Sequence, residues 1–184
     1  TSPYPNLQEL DWPCDRLSEH VPFEWVQLTA LSKLTVDTDR VDPGFFFPPN
    51  IRSMCLSVTH PPFDGAMLTG LTRLQRLEIF ISDTPLDLSP LVSLTWLRTS
   101  NFVTGLPTSL VECEISVSSS FDFSALTNLT RLKVELHGSV PLQFPLQLKK
   151  LVLFTDDGEI GPNNLHALKL ESYEEVSNYD EEYH

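Results

Sequence analysis

Leucines recur along this chain at spacings that fit neither a helix nor a plain strand. In LTGLTRLQRLEIF, residues 68–80, the apolar positions Leu68, Leu71, Leu74, Leu77 and Ile79 are separated by three, three, three and two. Steps of three slip backwards around a helix of 3.6 residues per turn, so these side chains would share no face. Alternation, the mark of a strand, holds only from Leu77 onwards. Aligning the chain on L-x-x-L-x-L resolves the pattern. Nine segments fit: LQELDW (7–12), LSKLTV (31–36), IRSMCL (51–56), LQRLEI (74–79), LTWLRT (94–99), LVECEI (110–115), LTRLKV (129–134), LKKLVL (148–153) and LHALKL (165–170). Their starts lie about twenty residues apart, the period of a stacked repeat. None of the 15 Pro and 7 Gly falls within them, as expected of short strands separated by turns.

Two kinds of connection lead into these segments. Four carry apolar residues three and six positions before the segment: Leu28 and Trp25, Leu71 and Leu68, Leu91 and Leu88, Leu126 and Phe123. Four others carry proline three positions before it, at Pro48, Pro107, Pro145 and Pro162. Coils of 16–24 residues leave little room for a helix once the strand and turns are subtracted. Extended, polyproline or 3₁₀ segments are therefore predicted there.

The repeat resembles the leucine-rich repeat family from about Leu7 to Leu170. The apolar connections are similar to those of phosphatase regulatory subunits, and the proline connections to the short repeats of bacterial effector proteins. The resemblance implies a β-rich solenoid, a horseshoe or arc, with about nine short parallel strands on its concave face and a mostly irregular convex side. It implies one such domain over residues 1–172; ESYEEVSNYDEEYH, with six acids and almost no apolar residue, reads as an acidic C-terminal tail over 173–184. The family usually places Asn three residues after the last strand leucine, bonding the backbone of adjacent turns. Here those positions are Asp15, Asp39, Thr59, Ser82, Phe102, Ser118, His137, Asp156 and Tyr173, and not one is Asn.

Charge narrows the partners. A net charge of −13 argues against nucleic acid and anionic membranes, which repel an acidic protein at long range. No apolar run approaches the roughly 18–20 residues that cross a bilayer as a helix. Cys14, Cys55 and Cys113 are odd in number and far apart, which favours a reducing compartment and a cytoplasmic location, with a secreted effector as the other possibility.

Against this acidic background, the positions expected to project from the concave face are basic. Nine of the 12 Lys and Arg occupy x positions of the repeat, against five of the 25 acids, so the expected face carries about +4. Either long cationic side chains merely solvate an open sheet, or the face is a groove for an acidic patch on another protein. Stacking the segments in register predicts a row Glu9, Lys33, Ser53, Arg76, Trp96, Glu112, Arg131, Lys150, Ala167. Trp96 stands mid-row with Arg76, Glu112 and Arg98 around it. That composition suits an interface anchor, or else a tryptophan packed on an arginine stem. The candidate partner-binding residues are Arg76, Trp96, Arg98, Glu112, Arg131, Lys133, Lys149 and Lys150. Phe80 and Phe154, just past their segments, could extend this patch, but folding inward is the expectation.

Candidate chemistry is otherwise absent from the pattern. No phosphate loop, dinucleotide fingerprint, nucleophile elbow or paired metal-binding cysteines occur, and the five histidines are scattered. DTDRVD (37–42) and DDGE (156–159) each hold only part of a calcium loop. The Asn128-Leu129-Thr130 sequon straddles a leucine expected to be buried. No catalytic residue, cofactor or metal is expected. The expected function is non-enzymatic recognition of another protein through the concave face. The alternative is a targeting or regulatory domain of a larger signalling protein or enzyme, suggested by a first residue other than Met and a repeat starting so close to it.

Overall fold

The computed structural model describes residues 4–17, 27–60, 63–81, 85–100, 103–155 and 163–177. It is a parallel β-solenoid. Nine strands form one sheet: β1 (Glu9–Leu17), β2 (Lys33–Val41), β3 (Ser53–Val58), β4 (Arg76–Ile81), β6 (Trp96–Thr99), β8 (Glu112–Val117), β10 (Arg131–Leu136), β12 (Lys150–Thr155) and β13 (Ser172–Ser177). On the opposite side of the coils lie short strand pairs, β5 (Leu86–Asp87) with β7 (Val103–Gly105) and β9 (Phe121–Asp122) with β11 (Leu142–Gln143). Single 3₁₀ turns, Gly65–Leu68 and Leu165–Ala167, complete that side. Among the described residues no helix is long and apolar enough to cross a membrane.

Each strand begins at the third position of its hexad rather than the first, and most run two residues past its end. The first two positions belong to the junction between coils. At every junction, the backbone N–H groups of positions two and three both donate to the carbonyl of position two in the preceding coil. Thus Gln75 and Arg76 donate to Arg52 O at 2.8 and 3.0 Å, and Thr95 and Trp96 donate to Gln75 O at 2.9 and 3.1 Å. Position four, six and, where the strand is long enough, eight then point inward. Leu77, Ile79 and Ile81 are buried on β4, as are Leu132, Val134 and Leu136 on β10. Each fully buried leucine contributes about 1.5–3 kcal/mol over leaving it in water.

The two connection types do the same job. The residue three before the hexad accepts a hydrogen bond from the first hexad residue, whether it is leucine or proline: Leu74 N to Leu71 O at 3.0 Å, Leu148 N to Pro145 O at 3.0 Å. That position supplies a carbonyl, which proline retains. The types differ one step earlier. Leu71, Leu91 and Leu126 also donate to the carbonyls of Leu68, Leu88 and Phe123, making a second turn that proline, lacking an N–H, cannot make. Pro162 and Trp25 lie outside the described residues.

The ninth strand corrects the sequence reading. LHALKL was expected to form it, but the strand is Ser172–Ser177, five residues later, and pairs Lys150 with Ser172 and Leu151 with Tyr173. Leucines three apart suit a turn as well as a hexad, and here Leu168 N donates to Leu165 O at 3.0 Å. The junction settles the register: Glu171 N and Ser172 N both bond Lys149 O, so Leu170 opens the ninth coil. Residues 173–177, expected in the tail, therefore belong to the sheet, while 178–184 lie outside the described residues. β13 is exposed along most of its length, and its inward-parity residues are Tyr173 and Glu175, whose side chains bond each other at 2.7 Å. A charged edge strand of this kind discourages further strand addition.

The missing asparagine ladder is replaced from another position. The residue just before the hexad bonds a backbone carbonyl of the preceding coil: Asn50 to Thr29 O, Ser93 to Thr72 O, Ser109 to Leu94 O, Asn128 to Thr108 O and Gln147 to Leu126 O, at 2.7–3.2 Å. Asn164, six residues before Leu170 and so outside this ladder, ties its coil to the preceding one in both directions, accepting from Phe144 N at 2.8 Å and donating to Phe144 O at 3.0 Å. Replacing Asn164 with Ala strands two partly buried backbone groups and should cost about 1–3 kcal/mol in urea unfolding. Asn164→Asp, which keeps the acceptor and loses the donor, should fall between. Equal midpoints for all three proteins would sink this account of the Asn164 contact.

Candidate functional site on the open face of the sheet

The outward rows follow from the register. The third-position row runs Glu9, Lys33, Ser53, Arg76, Trp96, Glu112, Arg131, Lys150, Ser172, as expected except at its last member. The fifth-position row runs Asp11, Thr35, Cys55, Glu78, Arg98, Glu114, Lys133, Val152, Glu174. With the ninth coil in its observed register, Lys169 leaves the face while Glu171 and Glu174 join it. Eight cations then meet seven acids, and the expected +4 becomes +1.

Those charges are arranged in cross-strand pairs. Arg98 sits between Glu78 (3.2 Å) and Glu114 (3.5 Å), and Lys133 reaches the same Glu114 at 2.7 Å, so four successive strands carry alternating charge. Arg131 pairs with Glu112 at 2.8 Å, Lys149 with Glu171 at 3.1 Å and Lys33 with Glu9 at 3.0 Å. All are substantially exposed, and such pairs each add only about 0–1 kcal/mol. Their larger effect is to fix long side chains and cancel charge. Of the candidate partner-binding residues, Arg98, Glu112, Arg131, Lys133 and Lys149 are thus engaged with one another or with neighbours. Among the described residues Arg76 and Lys150 make no ion pair.

Three aromatic rings stand among these ions. Trp96 is half-buried, with the Arg76 guanidinium 3.6 Å from its ring centre. Phe80 and Phe154, expected to fold inward, instead occupy the seventh position, whose parity is outward. Arg98 lies 5.8 Å from the Phe80 ring and Lys133 Nζ 4.9 Å from that of Phe154. The sequence reading failed here because it ended the strand at the sixth position, where the alternation still had two residues to run.

Between Phe80 and Phe154 the face opens into a hollow of about 300 Å³, bordered by Arg98, Glu114, Lys133 and Glu135 and floored by Thr99 and Ile115. Its cause is local: β6 stops at Thr99, two residues short of β4 and β8. A second hollow of about 230 Å³ adjoins it beside Trp96, Arg131 and Val152, sharing Glu114 and Lys133. The face at β1 and β2 differs, being acidic around Asp15, Asp37 and Asp39.

The cysteines report on this geometry. Cys113 points inward and burial, followed by the nearby Glu114 carboxylate, pushes its thiol up to about 12. Cys55 lies on the open face; partial burial raises its pKa first, then the carboxylates of Glu78, Asp37 and Asp11. No set of three or more His, Cys, Asp or Glu side chains that could hold a metal occurs among the described residues. DTDRVD lies in and just after β2, and DDGE lies outside the described residues.

No protein-family model matches the chain, and no curated protein or solved structure does either.

Because the thiolate is the reactive form, alkylation at about pH 8 followed by peptide mass analysis should leave Cys113 unmodified until denaturant is added. Cys55 should react slowly, and Glu78→Gln should speed it by removing the largest opposing charge. Rapid modification of Cys113 in the native protein would contradict its inward placement.

Proposed function

We propose that this chain is a leucine-rich-repeat recognition module that binds another protein, without catalysing a reaction, through the open face from β4 to β12. The observation that carries this reading is the outward display of Phe80, Trp96 and Phe154, each beside a cation, around the two hollows. Aromatic side chains beside arginine are the usual energetic centres of protein interfaces, and ions already paired around them can stay behind as a polar rim. The leucine-rich-repeat assignment is supported by eight hexads that open their strands at one common position and by the carbonyl junction between coils.

The partner consistent with this face differs from one drawn in by bulk positive charge. With about +1 over the nine-strand face, and four of the six cations between β4 and β12 already paired, electrostatic steering is weak; the partner would place an apolar side chain in the hollow and carboxylates near Arg76 and Lys150. Affinity would therefore rest on the aromatics.

The test compares proteins retained from lysate by wild type, by Phe80→Ala/Trp96→Ala/Phe154→Ala, and by Val92→Ala/Leu146→Ala, which truncates exposed apolar residues away from the open face. Each variant is first checked for native circular dichroism. A partner kept by wild type and the second variant, and lost by the first, supports the reading; identical sets overturn it. For a purified partner, each aromatic truncation at the centre should weaken binding by about 2 kcal/mol or more, and the association rate should change little with salt.

A further inference from the structure

Half of the 12 Lys and Arg of this acidic chain have carboxylate partners, and two of the others stand side by side. Arg16 is held by Asp42 at 2.7 Å, and Lys33, Arg98, Arg131, Lys133 and Lys149 each pair with a glutamate. Arg52 and Arg73 make no ion pair among the described residues, yet both line one hollow of about 230 Å³. The rest of its wall is the turn 29–32 and Asn50, so no carboxylate borders it.

The hollow is built by the repeat. Ile51 and Leu74 open successive coils and are fully buried, so the residues beside them, Arg52 and Arg73, are turned to solvent on the entry side of the strands. Arg73 is then held in place: its Nη1 donates to Asn50 Oδ1 at 3.1 Å, while Asn50 Nδ2 donates to Thr29 O at 3.2 Å. One guanidinium is thus anchored across three coils before any ligand arrives, which lowers the ordering cost of binding. Two guanidiniums offer a charge of +2 and many N–H donors in planar forks that match tetrahedral oxyanions. A carboxylate would satisfy one fork and leave the other uncompensated. The surrounding charge of −13 disfavours diffuse anion binding, so any anion held here is held by local donors.

We infer that the hollow lined by Arg52, Arg73 and Asn50 binds a dianionic phosphoryl group, either free phosphate or a phosphate monoester on a partner protein. The site lies at the entry end of the strands, whereas Phe80 and Phe154 lie toward their exit, so it stands independently of the aromatic face.

The experiment titrates ¹⁵N-labelled protein with inorganic phosphate at about pH 7.5 and constant ionic strength, where the second phosphate proton is largely lost. Readouts are the arginine Nε–H signals and the amides of residues 29–32. Saturable shifts confined to these groups are expected. Arg52→Gln and Arg73→Gln should each weaken binding by about tenfold or more, Arg73→Lys by less, and Lys150→Gln not at all. The dispersed spectrum of each variant verifies its fold. Shifts that never saturate, or affinities unchanged in both glutamine variants, overturn the site, and acetate binding as well as phosphate overturns the dianion assignment. A phosphoserine peptide binding more tightly than inorganic phosphate assigns the group to a partner protein; weaker binding assigns the site to the free anion.

Discussion

One carbonyl per coil, at the second hexad position, accepts N–H bonds from two successive residues of the next coil, and the sheet hangs from that junction. A carbonyl has two lone pairs, so the double acceptance leaves none of the three groups unpaired. It repeats at all eight junctions, from Gln8 to Lys149. A coil entering one residue out of step would leave both donors unbonded and turn its inward leucines to water. The turn that closes from position −3 onto the first residue precedes the junction and resets the chain. Coils of different length, and of leucine or proline type, can therefore arrive at one register.

This explains which parts of the fold were legible beforehand. Eight hexads located their strands because apolar residues at positions one, four and, Thr99 apart, six, flanked by breakers, are compatible with little else. LHALKL misled because Leu165 and Leu168 satisfy the spacing of the turn and of the strand alike. Only the hydrogen bonds to Lys149 O separate the two, and these involve backbone groups that no side-chain pattern names. The ladder built from Asn50, Ser93, Ser109, Asn128 and Gln147 was hidden for a similar reason. Its residue types are common on any surface, and their alignment one residue before each hexad gains meaning only once the carbonyls opposite are located.

The charges teach a different lesson. Counting cations against acids over the whole face treated it as a field, but a parallel sheet in constant register pairs each residue with its counterpart at the same position. Arg131 beside Glu112 and Lys133 beside Glu114 were readable as neighbours once the segments were stacked. Opposite charges on adjacent strands attract, and placing them in register suppresses slipped alignments more than it stabilises the native one. Among the cations without an ion pair, Arg76 and Lys150 on the face and Arg52 and Arg73 at the strand entries then stand out from a background that the total count had obscured.

The aromatic hollow arises from the same constraint acting on the shortest coil. Sixteen residues separate Leu94 from Leu110, and β7 begins at Val103, so the chain must leave the sheet after Thr99 to reach its next turn. Neighbouring coils are longer and carry β4 and β8 two residues further. The missing pair on β6 removes what would otherwise fill the space between the rows, and Phe80 and Phe154 keep the outward parity that a continuous sheet dictates. Coil length, rather than any single side chain, therefore places a recess in the middle of the face. A longer connection between Leu94 and Leu110 would let β6 extend and close it, leaving every aromatic residue in place but the shape they border gone.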